Sequence, residues 1–121
     1  MIKRVVIAGC RYYQNYEQAK QYIERCLCRL KREHTIIILS GGCTGTDKLG
    51  ERYATEMGLA VERYAANWEK YGKSAGPRRN EEMARQCDYV ICFWDRKSRG
   101  TRSMIACATA LSKPIRFIKI E

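Results

Sequence analysis

The sequence predicts one α/β domain over residues 1–121, a Rossmann-like fold with a parallel five-stranded sheet and helices on both faces. Two observations lead to this prediction. Short apolar runs rich in β-branched residues alternate along the chain with segments whose apolar residues recur at helical spacing. The runs are continuously apolar, which is typical of a parallel sheet covered on both faces. Such an alternation requires right-handed crossovers between parallel strands.

Each predicted strand is one of the apolar runs, and each predicted helix lies between two of them. The strands cover residues 5–8, 36–39, 60–64, 89–93 and 115–120, of which 60–64 is the weakest. The helical segments cover 19–30, 49–57, 83–87 and 104–111. No linker, repeat or low-complexity stretch interrupts this order, so we expect an undivided domain.

Composition bounds the compartment and the partners. A formal charge of +10 is compatible with nucleic acid, with an anionic ligand or with a merely basic surface. No apolar run approaches the roughly 20 residues of a membrane helix, so we expect neither export nor membrane insertion. The seven cysteines lack the spacing of metal ligands, which predicts reduced thiols in a cytoplasmic protein without bound metal or cofactor.

The loops after the strands are the places to look for a site, because ligands bind beyond the carboxyl ends of the strands in open parallel sheets. Four such loops hold most of the unusual polar residues. They cover residues 9–13, 40–47, 65–80 and 94–101.

The strongest local signal is the glycine-rich turn between the second strand and its helix. Glycines let a backbone approach a ligand, and the N–H groups at a helix start attract an anion. The alternative is a tight turn with Thr44 or Thr46 as the helix cap. The turn reads Ser40-Gly41-Gly42-Cys43-Thr44-Gly45-Thr46-Asp47.

The loop after the first strand begins Gly9-Cys10-Arg11. If the first two strands are neighbours, Arg11 lies beside the glycine-rich turn, where a guanidinium suits a phosphate or carboxylate. The alternative is an ordinary surface arginine after a turn.

The third loop is long for a connection and mixes aromatic, glycine and basic residues. We expect Trp68 or Tyr71 to stack on a base, with Asn67 beside them, and Arg79 with Asn80 at the helix start to hold phosphate or ribose. The alternative is that Trp68 belongs to the core and Asn80 is a helix cap.

The fourth loop again leads from a strand end through glycine into a helix. Gly100 and Thr101 repeat the anion-receiving chemistry of the second loop, with Ser98 just before them. Asp95, at the strand end, is placed to accept hydrogen bonds from ribose hydroxyls, by analogy with dinucleotide-binding folds.

In this order, the four loops resemble the SLOG superfamily, specifically its small single-domain branch related to the DNA-processing proteins of natural transformation and the cytokinin-activating phosphoribohydrolases. The resemblance covers nearly the whole chain. The matching residues are Gly9, Arg11, Ser40-Gly41-Gly42, Gly45, Asp47, Glu51, Asn67-Trp68, Gly72-Lys73, Ala75-Gly76-Pro77, Arg79-Asn80, Asp88, Phe93, Ser98 and Gly100-Thr101.

The resemblance implies a Rossmann-like fold that binds nucleotides or nucleotide-derived molecules, often as a homodimer. The phosphoribohydrolase relatives use a Pro-Gly-Gly-x-Gly-Thr-x-x-Glu turn with a catalytic glutamate. Here Ser40 stands at the proline position, an extra residue separates Gly42 from Gly45, and Leu49 falls at the glutamate position. The turn of this chain therefore departs from the hydrolytic pattern.

Three functions follow from these residues. The first is binding of a phosphorylated, nucleotide-like small molecule, as in a sensor, with Arg79 and the Gly41-Gly42 turn holding one anionic group. The second is N-glycosidic hydrolysis of nucleoside monophosphates by Asp47 and Glu51, whose spacing puts both carboxylates on one helix face. The third, which we rank last because the cations are scattered, is single-stranded nucleic-acid binding.

Overall fold

The computed structural model describes residues 1–120 and confirms the α/β layout. Five parallel strands form one sheet in the order β3-β2-β1-β4-β5. The strands are β1 Ile2–Gly9, β2 Thr35–Ser40, β3 Ala60–Arg63, β4 Tyr89–Trp94 and β5 Ile115–Lys119. The helices are α1 Tyr16–Glu33, α2 Thr46–Met57, α3 Trp68–Tyr71, α4 Ala75–Gln86 and α5 Arg99–Ala110, with a 3-10 turn at Gly72–Ser74.

The central strand β1 explains why the apolar runs are continuous. Val5 and Ile7 belong to a core shared with α1 and α2, whereas Val6 and Ala8 belong to a second core shared with α4 and α5. Consecutive side chains of a strand point to opposite faces, so a strand covered on both sides must be apolar at every residue.

The third loop differs from its prediction as a long connection. It folds into α3 and the 3-10 turn, and α4 already begins at Ala75. Pro77 permits this early start because proline is tolerated in the first turn of a helix. Asn80 therefore lies inside α4 and neither begins nor caps it, and Trp68 is 52% exposed, which excludes a place in the core.

The strand order creates a switch point between β1 and β4. The chain leaves β1 toward β2 and β3 on one side, then returns to pair β4 with the other side of β1. Loops leaving such a point diverge and open a crevice at the carboxyl edge. β1 also pairs with β2, so the first two strands are neighbours. This is the condition for the predicted position of Arg11 beside the glycine-rich turn.

The cysteines are all free thiols, and three of them, Cys10, Cys87 and Cys92, are buried. Within residues 1–120 there is no group of three or more His, Cys, Asp or Glu side chains that could hold a metal ion. Over the same residues, no helix combines the length and the apolar character that crossing a membrane requires.

Candidate ligand-binding cleft

A cleft of about 470 Å³ opens at the switch point between β1 and β4. Its walls come from the end of β1 and the loop after it, the glycine-rich turn with the start of α2, the middle of α4, and the start of α5 with the residue before it. The lining residues are Ala8, Gly9, Arg11, Tyr12, Cys43, Asp47, Arg79, Asn80, Met83, Ser98, Arg99, Gly100, Thr101 and Met104.

The structure brings about half of the sequence-predicted site residues together in this cleft. They come from all four loops, which are far apart in sequence and meet because the strands are parallel. Their role in ligand binding remains a prediction. The residues that line the cleft are Gly9, Arg11, Asp47, Arg79, Asn80, Ser98, Gly100 and Thr101.

The other predicted residues lie outside the cleft lining. One of them, Asn67, caps α3 by accepting a hydrogen bond from the Lys70 N–H. They are Ser40, Gly41, Gly42, Gly45, Thr46, Glu51, Asn67, Trp68 and Asp95.

The glycine-rich turn is held by its own side chains. Ser40 Oγ accepts from the Gly42 N–H at 3.0 Å, and Asp47 Oδ2 accepts from the Cys43 N–H at 3.1 Å. Two N–H groups that the sequence suggested for an anion are thus already bonded. The cap at α2 is Gly45, with no side-chain capping bond, so neither threonine of the turn caps the helix.

Arg79 meets this turn through a carbonyl group. Its Nη1 donates to Gly41 O at 2.9 Å, and its Nε donates to Asn80 Oδ1 at 3.0 Å. A Cβ on Gly41 would lie 2.6 Å from Arg79 Nη1 and 2.9 Å from Asp47 Oδ2. Glycine at this position therefore lets the guanidinium and the carboxylate lie against the backbone.

The two candidate carboxylates have different surroundings. Burial raises the pKa of Asp47, although the Cys43 N–H and the charge of Arg79 oppose the shift. Burial also acts on Glu51, but hydrogen bonds from Arg63 and Ser40 outweigh it and lower the pKa of Glu51. Only Asp47 lines the cleft, so the structure does not bring the two together as a catalytic pair.

Asp95 shapes the loop after β4. Its Oδ1 accepts from the N–H groups of Lys97 and Ser98, both at 2.8 Å, and its Oδ2 accepts from the Tyr12 hydroxyl at 2.9 Å. The two backbone hydrogen bonds hold the pKa of Asp95 well below its ordinary value. Both oxygens thus have protein partners that shape the loop, and the contact of Asp95 with a ribose stays a prediction.

Asn80 ties the two helices at the cleft together. It is 6% exposed, and its Nδ2 donates to Gly100 O and to Ser103 Oγ, each at 3.2 Å. The amide of Asn80 therefore holds the start of α5 against α4.

Sequence reasoning missed six of the lining residues. Tyr12, Cys43 and Arg99 lie in the predicted ligand-binding loops, next to predicted site residues. Ala8, Met83 and Met104 form an apolar floor, and their spacing indicated only a strand and helix faces in the core. No local signal distinguishes a core methionine from one that also borders a cleft.

Comparison with known proteins now places the chain. The model of the "YspA, cpYpsA-related SLOG family" matches residues 3–71. The chain belongs to this family. The Gene 61 protein of Mycobacterium phage D29 is 29% identical over an alignment of 120 residues, and the match covers 94% of this chain and 94% of that protein. The predicted resemblance to the SLOG superfamily is thereby confirmed.

Solved structures agree on the fold. DNA processing protein A from Streptococcus pneumoniae matches with a TM-score of 0.74 and 18% identity, over 100% of this chain and 51% of its own. Its Helicobacter pylori counterpart, described with a single-stranded DNA binding mode, gives 0.69 and 20%, over 98% and 66%. TM1055 gives 0.66 and 22%, over 95% and 72%. The SLOG chain spans about half the length of the S. pneumoniae protein.

Proposed function

We propose that this SLOG-family chain binds a nucleotide, or a nucleotide-derived phosphorylated molecule, in the cleft at the switch point. One observation carries the proposal. Three arginines, Arg11, Arg79 and Arg99, line a cleft whose floor is apolar and whose position is where open parallel sheets bind ligands.

The charged wall suits a phosphate. Arginine presents several N–H donors in a plane and pairs well with phosphate oxygens. The start of α5 adds backbone N–H groups and the positive end of the helix dipole. A Cβ on Gly100 would meet nothing within 4 Å, so ligand atoms have room to approach the backbone there.

The apolar floor suits the base. Ala8, Met83 and Met104 border the cleft, and sites for small molecules combine apolar surface with a few convergent polar groups. The volume lies within the usual range of about 300 to 1,000 Å³ for such sites.

Binding without turnover, as in a sensor, is favoured over hydrolysis. Glycosidic cleavage by two carboxylates requires both beside the sugar. In this chain Glu51 is held by Ser40 and Arg63 outside the cleft lining, and Asp47 stands there alone.

The test is calorimetric titration of the four ribonucleoside monophosphates and the corresponding nucleosides. Arg79→Ala and Arg11→Ala should each weaken the best nucleotide by roughly ten- to a hundredfold, because a charge-assisted contact contributes about 1.5 to 3 kcal/mol. The nucleoside should lose far less. Arg29→Ala, an exposed cation on α1, is the matched control and should change neither.

Other outcomes would replace the proposal. Equal losses for nucleotide and nucleoside, or an equal effect of Arg29→Ala, would place the phosphate elsewhere. Release of free base that Asp47→Asn abolishes would establish the hydrolase.

The second candidate function is binding of single-stranded nucleic acid. Trp68 and Tyr71 are exposed and favour it, and the Arg78 guanidinium lies over the Tyr71 ring at 4.2 Å. Oligonucleotide binding that weakens steeply with salt, without nucleotide binding, would establish that.

A further inference from the structure

A second groove, of about 520 Å³, adjoins the cleft between the loop after β1, the start of α1 and the end of β5. Tyr12 lines both spaces and so forms the wall between them. The second groove is lined by Tyr12, Tyr13, Gln14, Asn15, Gln18, Lys119 and Ile120.

The shared wall is an exposed aromatic ring held in place. Tyr12 is 54% exposed, yet its hydroxyl donates to Asp95 Oδ2 at 2.9 Å. Asp95 is in turn anchored by the N–H groups of Lys97 and Ser98. Holding a half-exposed tyrosine in one position costs side-chain entropy. A ring presented in this way offers a ligand a rigid surface at the boundary of the two spaces.

The chemistry of the second groove complements that of the first. Gln14, Asn15 and Gln18 carry amide groups. Asn15 Oδ1 already accepts from the Gln18 N–H and Gln18 Oε1 from the Tyr13 hydroxyl, so these two residues offer a ligand their amide N–H donors, and Gln14 offers both a donor and an acceptor, as base edges and ribose hydroxyls require. Lys119, exposed at the end of β5, supplies a cation, and the groove lining contains no carboxylate. Arg11, exposed and adjacent to Tyr12, lies in the lining of the first cleft.

From this juxtaposition we propose that the ligand is a dinucleotide, with one nucleoside in the cleft, the second in the groove, and the linking phosphates at Arg11 and Tyr12. The inference rests on the proposed function and deepens it, because it names the class of nucleotide. A mononucleotide would fill the first cleft and leave Lys119 and Gln14, which line the second groove, without a ligand contact.

The experiment measures affinity for three probes by calorimetry. They are adenosine monophosphate, diadenosine diphosphate with its pyrophosphate link, and a 5′-phosphorylated adenosine dinucleotide with its phosphodiester link. At least one dinucleotide should bind ten times more tightly than the mononucleotide, and the better of the two identifies the linkage. Lys119→Ala and Gln14→Ala should remove most of this advantage and change mononucleotide affinity less than twofold, with Arg29→Ala as control.

Each failure has its own meaning. If the mononucleotide binds but neither dinucleotide binds more tightly, the inference is wrong and the proposed function stands. Equal losses for all probes in Lys119→Ala also overturn it. A ten-residue oligonucleotide that binds another order of magnitude more tightly would overturn the small-molecule ligand. If no probe binds, the proposed function fails, and this inference fails with it.

Discussion

Arg79 occupies the most constrained position among the cleft residues. Its guanidinium donates to the Gly41 carbonyl and to the Asn80 side chain, and it lies near the Asp47 carboxylate. Residues 1–120 provide no hydrogen-bond partner for its Nη2, which is therefore available to a ligand. An arginine with its other nitrogens already bonded presents the remaining donor with little loss of entropy on binding.

Gly41 provides the sharpest test at this scale. In Gly41→Ala the new Cβ would meet Arg79 Nη1 at 2.6 Å, so the guanidinium must move away from the turn. We expect at least a tenfold loss of nucleotide affinity because Arg79 is displaced. The melting temperature should also fall, because Asp47 Oδ2, at 2.9 Å from the new Cβ, must shift from its hydrogen bond with the Cys43 N–H. Titration and thermal melting of the variant would measure both.

The matched control is Gly100→Ala in the same cleft. Its Cβ would meet nothing within 4 Å, so the fold should be unaffected and nucleotide affinity reduced less than in Gly41→Ala. Equal affinities of the Gly41→Ala variant and the unchanged chain would mean that Arg79 does not hold the ligand from this position.

That Arg79 lies near the Gly41-Gly42 turn was predictable from the sequence, but the direct hydrogen bond from its guanidinium to the Gly41 carbonyl was not, since the sequence predicted an anionic group between them. The motif placed both at the carboxyl edge of the sheet, where they meet. Nothing in the residue pattern indicated that the carbonyl of Gly41 would face the guanidinium, or that Ser40 and Asp47 would bond the N–H groups of the turn. Those contacts depend on backbone torsions that several turn types would have allowed.

At the scale of elements, the loop after β1 is joined to the start of α2. The Cys10 carbonyl accepts from both the N–H and the hydroxyl of Thr46, and a Cβ on Gly45 would lie 2.2 Å from Arg11 O. Gly45 also has φ +77°, a torsion that glycine adopts readily. These contacts set the distance between two walls of the cleft.

Thr46→Val tests this join. Valine keeps the shape of the fully buried threonine but removes the 3.0 Å hydrogen bond to Cys10 O. The free energy of unfolding should fall by about 0.5 to 1.5 kcal/mol, the usual net contribution of one hydrogen bond, because Cys10 O keeps the Thr46 N–H as a partner. Urea denaturation would measure it. Thr44→Val, at an exposed position in the same turn, should change stability by less than half that amount.

The strands were predictable because burial on both faces leaves continuous apolar runs that can be identified without knowing their partners. The segment around α3 was not, since Trp68 and Tyr71 are too exposed to produce an apolar helical stripe. The start of α4 at Ala75 was not predictable from the sequence either. Gly76 and Pro77 are strong signals of a turn, and here they occupy the first helical turn.

At the scale of the whole molecule, the general rule about switch points located the cleft before any contact was known. It could not give the floor, because Ala8, Met83 and Met104 come from three elements whose packing is a property of the tertiary structure. The second groove was equally hidden, since it depends on the end of β5 lying beside the loop after β1.

Association of two copies belongs to this scale and stays a prediction. The family resemblance implies a homodimer, and the edge strand β5 exposes half of Phe117. Sedimentation equilibrium at micromolar concentration should give twice the mass of 14.1 kDa. A pure monomer, with and without nucleotide, would show the prediction to be wrong.

The buried thiols give this protein reporters of its own opening. Cys92 is fully buried in the sheet, and burial raises its pKa to about 12, so an alkylating reagent reaches a reactive thiolate only after large-scale unfolding. Cys10 is also buried but lies beside the cleft, where its Sγ accepts from Ser98 Oγ at 3.1 Å. The alkylation rate of Cys10 would therefore report local opening beside the cleft, and that of Cys92 would report unfolding of the whole domain. Comparing the two rates distinguishes these events without an introduced label.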